Sequence, residues 1–316
     1  MFKRLLPLLM ILGLLLTACG PGAGSDPKQP EESASLSLVA STYPLYLFAT
    51  EVTKGAEGVT VSLLVNQDVS CLHDYTLTVA DMKLLETADV LILNGAGLDD
   101  FVAGTLEGLP QEHRAAVIDC SQSVQLLSLA EEHDHEDGED HAHGDWDPHY
   151  WMDPTLAGDV LLGIAGLLGE MDPEYDALYH ENAEAAVATL TQAKQAMQTE
   201  LEPLTARELI TFHDGFQYFA RAFDFTILMS IEEEEGREAS AKVISEAANL
   251  VTGYGLPAIF TEVNSSDATA QAVARETGTA VYPLTMIMSG PSDSLSIQTY
   301  IDAMNQNVDT ILGAFQ

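Results

Sequence analysis

Short apolar runs alternate with amphipathic stretches in two separate parts of this 316-residue chain, and that alternation restricts the fold more than any other feature. In the first part, residues 37–40 and 59–65 read as strands with a helix of about 45–54 between them. A helix over 81–88, an apolar strand over 89–95, a helix around 99–107 and a strand over 116–119 follow. The second part repeats the pattern: strands over 208–212, 225–230, 258–261 and 280–282, with helices over 216–223, 240–254, 266–277 and about 296–314. Strands that are apolar throughout are buried on both faces, which is the habit of parallel sheets covered by helices. Between the two parts, Asp172-Pro173 opens an Ala-, Glu- and Gln-rich helix running to about Thr199. A helix of that length spans ~40 Å at 1.5 Å per residue, too long for one lobe, so it reads as a connector. The expected architecture is α/β: two lobes, each a parallel sheet flanked by helices, joined by one long helix.

Length and composition agree, since 316 residues suit about two domains and a hydrophobic fraction of 47% supplies a core. Acidic residues number 49 against 12 Lys plus Arg, a net charge of -37. Nucleic acid is thereby disfavoured, because phosphate neutralisation needs clustered Lys and Arg. A field of this sign attracts cations.

The N-terminus reads as a targeting segment. Lys3 and Arg4 precede an apolar run to Ala18 that is too short to span hydrocarbon, which takes about 20 residues, and that fits a secretory signal over 1–18. The sequence Leu16-Thr17-Ala18-Cys19-Gly20 resembles a bacterial lipobox, which makes Cys19 the lipidation site. Residues 19–35, rich in Gly, Pro, Ser and Glu, read as a flexible tether. The protein is therefore expected outside the cytoplasm, held to the cell membrane by lipid. The remaining lobes are 36–172, the connector 173–203, and 204–316. Cys71 and Cys120 are then left; an oxidising compartment permits a disulfide between them, and two buried thiols, or Cys71 as a metal ligand, are the alternatives.

Residues 131–147 hold nine carboxylates and four histidines, His133, His135, His141 and His143, with no apolar periodicity. This is a surface loop, and its histidines are candidates for weak, exchangeable metal capture, since neutral imidazole suits Zn, Cu and Ni. Outside it, His113 and His180 have polar neighbours and carry no assigned role. His73, His149 and His213 stand near the ends of strands or in stiffened turns, where α/β folds place ligand groups.

Four segments sharpen this reading. Cys71-Leu72-His73-Asp74-Tyr75-Thr76-Leu77-Thr78, followed by Ala88-Asp89-Val90 and Asn94-Gly95-Ala96-Gly97-Leu98, resembles the first signature of the metal-binding substrate-binding proteins of ABC importers. Residues 147–154, Asp-Pro-His-Tyr-Trp-Met-Asp-Pro, are similar to the second, and residues 213–220 to the third. Ile259-Phe260-Thr261-Glu262 with Glu276-Thr277-Gly278 resembles the later pattern, so the likeness covers residues 36–316 in order. The resemblance implies two lobes enclosing a metal ion, with His73 and His149 from the first lobe and His213 from the second. It implies a monomeric lipoprotein, not an enzyme, serving an ABC permease and its ATPase.

The family commonly places a carboxylate after the last strand, whereas this chain reads Tyr282-Pro283-Leu284-Thr285-Met286-Ile287-Met288. Water, Glu262 or a residue of Glu232–Glu235 is left for the fourth position, and Glu262 serves equally to orient a histidine. Three histidines with one open or oxygen position favour Zn2+. Manganese- or nickel-specific members are the alternative. An extracytoplasmic zinc hydrolase, with Asp214 or Glu262 as base, is a more distant one, since no His-Glu-x-x-His occurs. A surface metal buffer or adhesin shares every binding residue.

Overall fold

The computed structural model describes residues 36–65, 72, 75–108, 114–128, 146–231, 239–263, 265–293 and 295–315. Cys19, Cys71, His73, His113, the four loop histidines and the 232–235 run lie outside these residues. The first sheet is built from β1 (Leu36–Ala40), β2 (Val59–Leu63), β3 (Val90–Leu93) and β4 (Ala116–Asp119), all parallel, in the order β2-β1-β3-β4. Helices α1 (Tyr43–Val52), α2 (Val79–Thr87) and α3 (Asp100–Gly108) make the crossovers. Apolar β1 and β3, central in the sheet, carry the most buried side chains, as strands covered on both faces should.

A short antiparallel pair follows, β5 (Leu127–Ser128) with β6 (Trp146–Asp147), in the register Leu127 opposite Asp147. The second sheet contains β7 (Glu208–Thr211), β8 (Thr226–Ser230), β9 (Ala258–Glu262) and β10 (Ala280–Leu284), parallel, in the order β10-β9-β7-β8. Read from the other edge this is the topology of the first sheet, so the two halves are structural repeats. Helices α6 (Gln217–Ala222), α7 (Ala241–Tyr254) and α8 (Ala268–Thr277) connect its strands. In each sheet the strand order reverses between the first and third strands, opening a crevice at their carboxyl ends.

The long helix expected over 173–203 is present as a single helix, and the apolar stretch before it forms a second helix that the sequence pattern did not announce. Helix α4 (Pro154–Met171) precedes α5 (Asp176–Leu201), and the two pack along each other as a hairpin. Asp153 caps α4, its carboxylate accepting the Thr155 N–H at 2.8 Å, and Pro154 supplies a preset φ at the first turn. Buried Ala157, Val160, Leu161, Ile164, Ala165 and Leu168 form its inward stripe. A Cβ on Gly158 would stand 3.3 Å from Val187, so the bare backbone lets α5 approach closely. Among the described residues α4 alone is long and apolar enough, by length and composition, to cross a membrane, and half of it is buried inside the protein.

Helix α9 (Ile297–Ala314) makes contacts beyond the second sheet. It packs on α1 and α5 as well as on β10. Glu51 on α1 accepts the Ile297 N–H at 2.9 Å, and Tyr300 stacks edge-on against Phe48 at 5.5 Å. The principal core accordingly runs without interruption from Leu38 and Phe48 through Trp151 and Tyr179 to Phe219, Met286 and Tyr300. A smaller core around Ile210, Phe212 and Ile259 lies beneath α7 and α8.

Among the described residues Cys120 is a free, fully buried thiol, and Cys71, its expected disulfide partner, lies outside them. Burial pushes the ionisation of Cys120 well upward, so it behaves as a small apolar residue.

Candidate metal centre

His149 owes its position to the two residues before it. Asp147, 1% exposed, turns its carboxylate back along the chain, and Oδ1 accepts both the His149 backbone N–H at 2.9 Å and Nδ1–H at 2.8 Å. An Asp whose carboxylate accepts the backbone N–H two residues on forms an Asx-turn, and the intervening Pro148 stiffens it. Assigning the proton to Nδ1 leaves the Nε2 lone pair free, which is the tautomer a metal ligand requires. The turn is anchored from both lobes. Asn94, just past β3, donates from Nδ2 to the Pro148 carbonyl at 3.0 Å, and the Tyr150 hydroxyl donates to the Asn94 carbonyl at 2.7 Å. From the second lobe, the Tyr218 hydroxyl donates to the Asp147 carbonyl at 2.9 Å and accepts the Leu127 N–H at 2.8 Å.

His213 follows β7 by two residues, at the switch point of the second sheet, where the chain leaves the strand toward α6. Thr211 lies opposite Phe260 across β7 and β9, and continuing that parallel register sets His213 beside Glu262. The measured separation agrees: His213 Nδ1 stands 3.8 Å from Glu262 Oε2, longer than a hydrogen bond. Glu262 is 4% exposed. Burial pushes its carboxyl up to about 8, against a smaller lowering from the Ser265 hydroxyl, which donates to Oε2 at 3.2 Å.

The two imidazoles meet edge to face, centroids 5.3 Å apart and planes at 89°. Trp151 also packs against His149, centroids 5.3 Å apart. Gly215 makes the approach possible. A Cβ there would lie 3.0 Å from His213 Cδ2 and 3.2 Å from His149 Cδ2, and would collide with Met286 Sδ.

Of the sequence-nominated groups, His149 and His213 are brought together, Glu262 sits behind His213, and His73 falls outside the described residues. Among the described residues, no three His, Cys, Asp or Glu side chains are grouped closely enough to hold an ion by themselves. Two participants escaped the sequence reading. Asp147 carried a usable signal, an Asp two positions before a His across a Pro. Met286 carried none, being one apolar residue in an apolar stretch.

Comparison with known proteins follows this geometry. The family described as zinc-uptake complex component A, periplasmic, matches residues 38–314. The chain is 26% identical over 321 residues to the high-affinity zinc uptake system protein ZnuA of Bacillus subtilis (strain 168), covering 98% of each chain. It is 24% identical over 306 residues to the manganese-binding lipoprotein MntA of Halalkalibacterium halodurans, covering 96% of this chain and 95% of that one. The crystal structure of AdcAII from Streptococcus pneumoniae superposes with a TM-score of 0.74 at 25% identity, over 89% of this chain and 99% of that one.

Proposed function

The chain belongs to the family of zinc-uptake complex component A, periplasmic, and from that premise we propose that it captures zinc outside the cytoplasmic membrane and delivers it to an ABC-type permease and its ATPase. The observation that carries this reading is the His149–His213 pair: two imidazoles from different lobes, 5.3 Å apart, one held in the metal-binding tautomer by a buried carboxylate. His73 is assigned as the third nitrogen donor. Neutral nitrogen donors suit Zn2+ in a tetrahedral set, and their bonds to the ion must offset the cost of removing its water at a buried position. The zinc-uptake relative in Bacillus subtilis and the extended collinear likeness support the same cargo. Such a protein binds and releases its ion and performs no chemistry on it.

The test is zinc competition against a chromogenic chelator. His73→Ala, His149→Ala and His213→Ala should each weaken the tightest site by about tenfold or more; wild-type affinity in all three variants refutes the assignment. The loop histidines His133, His135, His141 and His143 are assigned to weaker, accessory capture. Deleting residues 131–145 should lower zinc stoichiometry in native mass spectrometry while leaving the tightest site intact; unchanged stoichiometry refutes the loop's role. The mature protein is a monomer anchored through lipidated Cys19. Cys19→Ser should move it from the membrane fraction to the soluble one, and continued membrane association counts against the anchor. Equilibrium sedimentation of the Cys19→Ser protein reads the monomer, and a dimer mass refutes it.

A further inference from the structure

Resting on the reading that the ion is held between His149 and His213, we propose that Met286 is the specificity-determining residue of the site, its thioether sulfur donating to the ion where a hard cation would require oxygen. Three side chains converge beside Gly215: His149 Cδ2, His213 Cδ2 and Met286 Sδ all reach the space a Cβ would take. In each imidazole Cδ2 is the carbon bonded to Nε2. In His149 that nitrogen is free, because Nδ1 is spent on Asp147. The sulfur therefore lies on the Cδ2 side of His149, the side of the ring that carries Nε2. Glu262 approaches His213 from the Nδ1 edge, the opposite side of that ring from Cδ2, and so does not take the place the sulfur occupies.

Met286 is fixed there, not passing through. It is 2% exposed. Its carbonyl accepts the Trp151 indole N–H at 2.8 Å, a bond between lobes. Asn307 of α9 clamps the preceding residue twice, accepting the Thr285 N–H at 2.8 Å and donating to the Thr285 carbonyl at 2.8 Å. The Thr285 hydroxyl in turn accepts the Ile287 N–H at 3.0 Å. Under these clamps Ile287 adopts φ 62°, a left-handed conformation in which a β-branched residue is a genuine outlier. Strain of this kind survives only where the surroundings over-determine it, and it gathers at ligand clamps. A loop held so firmly aims one side chain, and that side chain is the sulfur.

A thioether is a soft donor and favours soft or borderline ions, whereas manganese and magnesium take carboxylate, carbonyl and water oxygen. The full-length protein, loaded with less than one equivalent of zinc, reports on its tightest site. In that state zinc K-edge X-ray absorption should show a sulfur neighbour that disappears in Met286→Leu. Chelator competition should show Met286→Leu losing about tenfold in zinc affinity, and Met286→Glu gaining about tenfold in manganese affinity relative to zinc. Matching thermal melts confirm that both variants are folded. An absent sulfur neighbour in the wild type, or a zinc-to-manganese ratio unchanged in both variants, overturns the proposal. His149→Ala and His213→Ala measured alongside separate the two ideas: if they lose zinc while the Met286 variants do not, only the sulfur fails. If the histidine variants also keep wild-type affinity, the site itself is misplaced and the Met286 proposal falls with it.

Discussion

Asp147→Ala isolates the contribution of the group behind the ligand. The carboxylate touches His149 twice through Oδ1, at 2.9 Å to the backbone N–H and 2.8 Å to Nδ1, and it is almost wholly buried. Its other oxygen finds no hydrogen-bond partner among the described residues, so the negative charge is spent chiefly on the imidazole. An ion arriving at Nε2 makes the Nδ1 proton more acidic and strengthens this hydrogen bond, so the carboxylate stabilises the loaded form more than the empty one. Removing such a partner costs about 10–100-fold in metal affinity, or about 1.4–2.8 kcal/mol at 1.4 kcal/mol per decade. Asp147→Asn keeps an oxygen acceptor but loses the charge, and should fall between wild type and Ala. Chelator competition reads the affinity, and thermal melts of the metal-free forms report whether the turn itself has collapsed. If Asp147→Ala binds zinc within twofold of wild type while His149→Ala does not, orientation by the carboxylate is not what prepares the ligand.

Two further perturbations test the second lobe. Glu262 has its carboxyl raised by burial from 4.5 to about 8, so the folded protein keeps a proton that the unfolded chain gives up. Stability from this group is full below the unfolded value and declines as pH rises from about 4.5 to about 8. Metal-free wild type should therefore lose melting temperature across that window more steeply than Glu262→Gln, and superimposable pH profiles would contradict the assignment. Gly215→Ala places a methyl between both imidazoles and the Met286 sulfur. Because overpacking a fixed core typically costs about 1–3 kcal/mol, zinc affinity should drop by about five- to 100-fold if that cost falls on the site, and wild-type affinity would show that the rings are not held as described.

Much of the fold is legible in the chain because its signals are local. The strands and helices of both sheets fall within a few residues of the positions the apolar runs predict, from 116–119 for β4 to 241–254 for α7. Strand order is not local: nothing within β3 announces that it pairs with β1 and β4. Helix α4 was hidden by its composition, since four glycines within an apolar stretch lack the usual helical signature, and one of them, Gly158, serves packing against α5. The site divides in the same way. Histidines at strand ends and in an Asp-Pro-His turn are visible, whereas Met286 acquires meaning only when α9, Trp151 and Asn307 fold back onto its loop. The burial of Cys120 is hidden for a related reason, because spacing says nothing about whether it is enclosed in the first lobe.

The uninterrupted core bears on how the ion leaves. Parting the lobes as rigid bodies would expose Trp151, Tyr300 and Met286 and break the bonds from Trp151 to Met286, Tyr300 to Trp151, Tyr218 to Asp147 and Tyr43 to Pro291. Trp and Tyr bury about 150–250 Å2 each, and at about 25 cal/mol per Å2 separating several of them costs on the order of 10 kcal/mol. Movement confined to the ligand segments also breaks the bonds from Trp151 to Met286 and from Tyr218 to Asp147, but it leaves the packing of α9 on α1 and α5 in place. The His149 turn is a few residues long, and the Ile287 segment already holds backbone strain that its release would relieve. Local movement of these segments, with α5 and α9 unmoved, is the cheaper route. Small-angle scattering should then show metal-free and zinc-loaded protein with the same overall dimensions, while hydrogen exchange rises around residues 147–152 and 285–288 in the metal-free form. An expanded metal-free envelope, with uniform exchange in those segments, would instead require the lobes to swing apart and α9 to give up its packing on α1 and α5.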